Sequence, residues 1–364
     1  MTISYLSIIR GGGYMSKNRN YTLEALRIAC MCLITIIHFF SYSDILNSNL
    51  NNSFRVGFSI LFSLSRCSVN IFFIISGFFL CKKDFSLNRI IKVYSQMLFA
   101  SILSFVICVL LNIKEVDYLD LLKTIMPLLT NHYWFISVYI IVVIFSPAIN
   151  LLIEKEEYVR IRKGILVGGG ILTLYITLNP FIIGNTMIGG DHSLLWALFC
   201  YFIGGCISKY GINVKKEKLV AAFLAALFAL AIIKFYKVDI ILSMYSFDFE
   251  SNSSILPFLM SVSLFGLLIQ RKERIGEQSN IYKKIIFILA QVSLFVYLIQ
   301  ENELFREYVW KDLSGTLNPQ LAIYELCKII ILLYLGAILY GILYNILKKF
   351  ILYILKGLKK YGKD

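Results

Sequence analysis

Tyr21-Thr22-Leu23-Glu24-Ala25-Leu26-Arg27-Ile28-Ala29-Cys30-Met31-Cys32-Leu33-Ile34-Thr35-Ile36-Ile37-His38-Phe39 decides the fold class. Its apolar body is long enough to cross a bilayer core, which takes about 20 residues, and it carries only three ionisable groups other than cysteine. Runs like it fill the chain. Of 364 residues, 58% are hydrophobic and 16% charged, and the mean hydropathy is +0.74. Ordinary soluble domains have roughly 45–50% apolar and about 25% charged residues, so a soluble globular protein is excluded.

Ten spans are predicted, at about 23–41, 58–80, 94–112, 132–153, 164–183, 194–208, 219–235, 254–269, 285–300 and 325–347, the sixth and ninth being the shortest. The expected architecture is an all-α polytopic membrane bundle. Basic residues fix its orientation, because they stay on the cytoplasmic side of span ends. With the N-terminus inside, 25 Lys and Arg fall in the inner loops and tails. Only Arg55, Lys114, Lys123, Lys234, Lys237, Arg306 and Lys311 fall outside. The alternation implies N-in and C-in, and it explains the net charge of +14 without a nucleic-acid partner.

Residues 1–20 read as a cytoplasmic tail, 21–347 as the membrane domain and 348–364 as a basic cytoplasmic tail. Arg10-Gly11-Gly12-Gly13 before Met15 resembles a translated purine-rich ribosome-binding stretch, so Met15 is the expected start. The eight cysteines lie in or beside apolar runs without metal-ligand spacing, and His38, His132 and His192 are scattered. Free thiols and no metal are expected.

Arg27, Arg66 and Lys328 lie within predicted spans, where an uncompensated charge is costly and is a functional candidate by default. Arg27 and His38 are eleven residues apart, which places them within about 20° on one helix face and about 16 Å apart along the axis. Glu24 stands one turn before Arg27 and can pair with it. One reading is a polar stripe with an anion-binding Arg27 at its inner end and a general base, His38, towards its outer end. The other is an anchoring ion pair and a satisfied buried histidine. Glu325 and Lys328 read as an ion pair on the last span, Ser76-Gly77 as a packing site, and His132-Tyr133-Trp134 as an aromatic belt or an acceptor contact.

A second set of motifs surrounds this stripe. Phe72-Phe73-Ile74-Ile75-Ser76-Gly77-Phe78 closes the second span, and Arg89-Ile90-Ile91-Lys92-Val93-Tyr94 follows it. Tyr133-Trp134-Phe135-Ile136-Ser137-Val138-Tyr139 leads to Ser146-Pro147-Ala148-Ile149-Asn150, and Tyr201-Phe202-Ile203-Gly204-Gly205 comes later. In this order, with the Arg-x10-His first span, the motifs resemble the integral-membrane acyltransferase-3 family from Tyr21 to nearly the end of the chain. Its members are acyl-CoA-dependent O-acyltransferases of surface glycans and related acceptors.

The resemblance implies that Arg27, Arg89 and Lys92 hold the phosphates of an acyl-CoA donor and that His38, with Glu24 beside the stripe, carries the chemistry. Arg66, just before the Phe-Phe-x-x-Ser-Gly segment, would line the same cavity. Four positions depart from the family pattern: Glu24 for Asp, Lys92 for Arg, Ser95 for Pro and Gln300 for His. Gln300 cannot exchange a proton, and Lys92 offers no bidentate fork. The expected function is an O-acetyltransferase of the cell membrane, moving acetyl from cytoplasmic acetyl-CoA to a hydroxyl of a surface polysaccharide or lipid-linked glycan. A glycan or lipid transporter and a polysaccharide polymerase are the alternatives. Broken helices, expected of many transporters, are not evident in the sequence, and nothing in it specifies an oligomeric state.

Overall fold

The computed structural model describes residues 20–43, 45–48, 50–178, 192–236, 249–271, 280–310 and 318–361. The expected Met15 start lies outside the described residues. All secondary structure among them is helical. In chain order the α-helices are α1 (Tyr21–Ser43), α2 (Asn52–Ser65), α3 (Ser68–Leu80), α4 (Leu87–Leu110), α5 (Tyr118–Ile125), α6 (Trp134–Glu154), α7 (Val159–Leu178), α8 (Leu194–Tyr210) and α9 (Lys216–Phe235). α10 (Ile255–Ile269), α11 (Asn280–Gln300), α12 (Glu303–Trp310) and α13 (Pro319–Tyr361) complete the chain.

Among the described residues, eight segments are long and apolar enough to cross a membrane, one of them the α2–α3 stretch taken as a unit. α8 and α10, of 17 and 15 residues, are the shorter apolar helices. Each of the ten predicted spans therefore corresponds to helix, with two corrections to their lengths. The ninth is a full 21-residue helix and the eighth is the short one. The last continues through the expected basic tail to Tyr361 as one helix of 43 residues, about 64 Å at 1.5 Å per residue.

The second span is also broken, contrary to the expectation of unbroken helices. α2 ends at Ser65 and α3 begins at Ser68, with Arg66 and Cys67 in the turn between them. Ser65 and Ser68 hydroxyls donate to the carbonyls of Phe62 and Ser65, and the Arg66 amide donates to Ser63. Backbone groups freed inside a bundle need such partners, because no water satisfies them there.

α1 is the axis of the bundle, because its two faces enter two separate apolar cores. Met31, Ile36, Phe39 and Phe40 pack with α2, α4, α6, α11 and α13. Leu23, Leu26, Cys30 and Ile34 pack with α3, α6, α8, α9 and α10. In the second core α3 and α8 touch backbone to backbone. A methyl group at Gly77 would overlap the Tyr201 carbonyl, and one at Gly204 would overlap the Ile74 carbonyl. Small residues permit this approach between membrane helices, so the Ser76-Gly77 packing reading holds.

Buried amides lock the same crossing. Asn70 accepts from Trp196 Nε1 at 2.9 Å and donates to the Asn252 carbonyl at 2.7 Å. Asn150 donates to the Leu80 carbonyl and accepts from the Tyr201 hydroxyl. The Ser-Pro-Ala-Ile-Asn and Tyr-x-x-Gly motifs thus build the scaffold beside the stripe.

Candidate active site

Arg27, Met31, Thr35 and His38 stand at i, i+4, i+8 and i+11 of α1, so they share one face. At the near end Arg27 Nη1 is 3.1 Å from Glu24 Oε2, the pair expected from the spacing. This guanidinium remains 38% exposed and forms one wall of a cleft of about 220 Å³ between α1, α3, α6 and α11. The cleft is lined mainly by apolar side chains, with Ser76, Tyr139, Ser293 and Tyr297 as its polar points. Arg89 is not among the residues that line the cleft, and its guanidinium donates to the Asp84 carbonyl at 2.8 Å. The cleft thus has one cationic point, Arg27, and an apolar body.

Two of the expected site residues are elsewhere. Lys92 lies one turn beyond Arg89 on α4 and lines a groove shared with α13. Arg66 is buried at the α2–α3 break. Its Nε donates to the Glu250 backbone carbonyl, and its charge stands 6.0 Å from the Phe62 ring centre. It does not line the Arg27 cleft, which corrects the expectation of a shared cavity: at the break its side chain turns to the Glu250 carbonyl instead.

At the far end His38 Nε2 is 2.8 Å from Glu301 Oε1, the two side chains 17% and 12% exposed. His38 Nδ1 is buried with no hydrogen-bond partner among the described residues. Glu301 was not foreseen in the sequence. It lies 263 positions away, just past the ninth span, and a carboxylate ending an apolar run opposite a membrane histidine was its one visible signal.

The Glu301 turn is fixed from both sides. Asn302 Nδ2 donates to the Tyr133 hydroxyl at 2.7 Å, and its Oδ1 accepts from the Leu304 amide at the start of α12. Burial pushes the Glu301 carboxyl up, but the hydrogen bond and charge of His38, with Arg306 behind them, hold it below its ordinary value. Beyond this turn Lys123 binds Glu303 at 2.6 Å, tying α5 to α12. Tyr42 and Trp310 stand edge-on to the imidazole and stack on each other with centroids 5.6 Å apart.

His132 and Tyr133 are buried, so they do not form the aromatic belt that their sequence position suggested. Both ring nitrogens of His132 lack partners among the described residues. Trp134 instead stacks on the exposed His192 at 4.2 Å.

Between the two ends the stripe is interrupted. Thr35 Oγ1 donates to Gln300 Oε1 at 3.0 Å, and Gln300 Nε2 reaches Met31 Sδ at 3.7 Å. All three residues are buried. The cleft ends at Met31 and Tyr297, and His38 lies seven residues further along α1, about 10 Å. Gln300, the departure from the family's histidine, therefore stands between the cleft and the imidazole.

This arrangement provides anion contacts, an apolar slot, and a histidine oriented by a carboxylate with its second nitrogen available. That is the equipment for moving a group onto a hydroxyl. The comparisons agree with it. A family model described as an acyltransferase domain matches residues 20–353. No curated protein and no solved structure matches the chain. With nearly its whole length covered, and with the helical membrane bundle described above, the chain belongs to the acyltransferase-3 family and is a multi-pass membrane acyltransferase.

Proposed function

We propose that the protein is an O-acetyltransferase of the cell membrane, taking acetyl from cytoplasmic acetyl-CoA and delivering it to a hydroxyl of a surface polysaccharide or its lipid-linked precursor. The observation that carries this reading is the His38–Glu301 contact at 2.8 Å with Nδ1 left without a partner. A carboxylate that accepts Nε2–H fixes the neutral tautomer in which Nδ1 carries the lone pair. Nδ1 then takes the proton of the acceptor hydroxyl as its oxygen attacks the thioester carbonyl. A C–O bond forms, the C–S bond breaks, and the leaving thiolate is protonated by the imidazolium. Glu301 stabilises that cation while it exists.

The cleft suits the donor. Arg27 would meet its phosphates, with Arg89 of the family motif as the second cation, and the apolar slot of about 220 Å³ would take the arm behind the acyl group, whose thioester reaches His38 once the Thr35–Gln300–Met31 contacts open. Glu24 is a positioning residue on this reading: it holds Arg27 and touches no reacting atom. Lys92, set in the other groove, leaves the donor phosphates to the two arginines. The basic inner loops support placing the Arg27 end at the cytoplasmic face, where acetyl-CoA is available.

The α2–α3 break is a feature that a transporter would share. Arg66 at the break donates to the Glu250 backbone carbonyl and is absent from the Arg27 cleft, so acyl transfer is the better account. The test compares glycan O-acetylation in cells carrying wild type or His38→Ala, with membrane abundance followed by immunoblot. Loss of acetylation at unchanged abundance is expected. Retained acetylation would remove His38 from the chemistry.

A further inference from the structure

The largest cavity described lies away from the stripe. α4 and α13 enclose a groove of about 680 Å³, some three times the donor cleft. Both walls belong to segments long and apolar enough to cross a membrane, and Lys348 opens the stretch read from the sequence as a basic inner tail, so the groove runs from the membrane surface into the bilayer. Two hydroxyl pairs hold the walls together, Ser95 with Tyr344 at 2.7 Å and Ser104 with Tyr340 at 3.1 Å. These hydroxyls satisfy each other and leave an apolar floor, with the Phe99 ring against Tyr344. The outer lips, Ile102 and Val106 on α4 and Ile351 and Leu352 on α13, are exposed.

On the α4 wall the charge comes early, Lys92 preceding Ser95, Phe99, Ile102 and Val106, and on the α13 wall Lys348 lies between Tyr344 and Ile351. Lys92 and Lys348 are the ionisable cations lining the groove, and no acid lines it. From Lys92 to Val106 is fourteen residues, about 21 Å of helix axis, less than the roughly 30 Å hydrocarbon core. A slot that is basic near the membrane surface and apolar below it matches a lipid with a net negative headgroup. A zwitterionic headgroup carries its own cation against the phosphate and gains less from two lysines.

We propose that this groove is a binding site for one anionic glycerophospholipid, its phosphate held by Lys92 and Lys348 and its acyl chains laid along Ile102 and Val106. The inference is independent of the acyl-transfer reading. It also gives Lys92 a ligand other than the donor.

The experiment uses the full chain in phosphatidylcholine nanodiscs doped with phosphatidylglycerol, followed by gentle release and native mass spectrometry of retained lipid. Wild type is expected to keep one phosphatidylglycerol and no phosphatidylcholine. Lys92→Ala with Lys348→Ala should weaken that retention roughly 30-fold, given the usual attraction of two membrane-surface lysines to anionic lipid. Arginine at both positions should restore it. Ile102→Trp, which fills the groove and leaves both lysines, should displace the lipid as well. Lys283→Ala with Lys284→Ala on α11 is the control for general surface charge and should change nothing. Wild-type retention in both groove variants, equal retention of phosphatidylcholine, or equal loss in the α11 control would each overturn the proposal.

Discussion

The two ends of α1 each set a carboxylate against a basic side chain, and their surroundings give these contacts different uses. Glu24 and Arg27 are neighbours on one helix, 3.1 Å apart, with the guanidinium more than a third exposed. Such a pair adds little stability, and an arginine with five donors, one of them committed to Glu24, keeps a fork for an incoming anion. His38 and Glu301 come from distant helices, are shielded from solvent and are braced through Asn302 by Tyr133. On the proposed mechanism the carboxylate sets the tautomer and leaves one nitrogen to react. Sequence distance would then separate the roles, the local pair holding a binding group near its ligand and the long-range pair orienting a reacting group.

The sharpest way to break this comparison is His38→Ala. Initial rates of acyl transfer in membranes of matched protein content should fall by about 10²–10⁴-fold, the usual contribution of a positioned general base. Next comes Glu301→Gln, which keeps the size and a hydrogen-bonding group but removes the charge. A fall of about 10²-fold in kcat with an unchanged donor KM is expected. A change confined to KM would instead make the far end a binding site like the near one.

Arg27→Gln tests the near end. Donor KM should rise about tenfold with kcat nearly constant, the signature of lost uniform binding. Glu24→Gln should shift the same constant by about threefold or less, because Glu24 acts through Arg27.

The smallest effect is on stability in acid. Burial lowers the His132 value from 6.5, so the folded protein binds its proton less readily than the unfolded chain. Stability from this site is complete above pH 6.5 and is lost as pH falls towards the lowered value. Glu301 is also depressed, from 4.5, so its contribution is present above that value and is lost only as pH falls through the folded one. Thermal unfolding in detergent should therefore weaken in two stages on acidification. His132→Gln should remove the first stage and Glu301→Gln the second.

Much of the bundle was legible because span length and apolar composition are local properties of the chain. The Glu24–Arg27 and Glu325–Lys328 pairs followed from helical spacing alone, and both stand at 3.1 Å. The α2–α3 break was not legible. Arg66-Cys67 contains neither proline nor glycine, and its backbone is satisfied by serines that also fit a continuous helix. That Lys92 lines a groove with α13 depends on where α13 meets α4, which no motif spacing encodes. Glu301 was missed for the same reason: its partner is set by the α1–α11 contact. Gln300 was noticed as a departure, but its bond to Thr35 needed the fold.

That bond bears on the economy of the whole cell. A polar stripe wet along its length, from one face of a membrane helix to the other, is a path for protons and small ions, and any current through it would run down the gradients on which the membrane lives. Thr35, Gln300 and Met31 close the stripe midway with groups buried from solvent. On the proposed reading, the closure would let one helix present an anion site to one side and a base to the other while the barrier stays insulating.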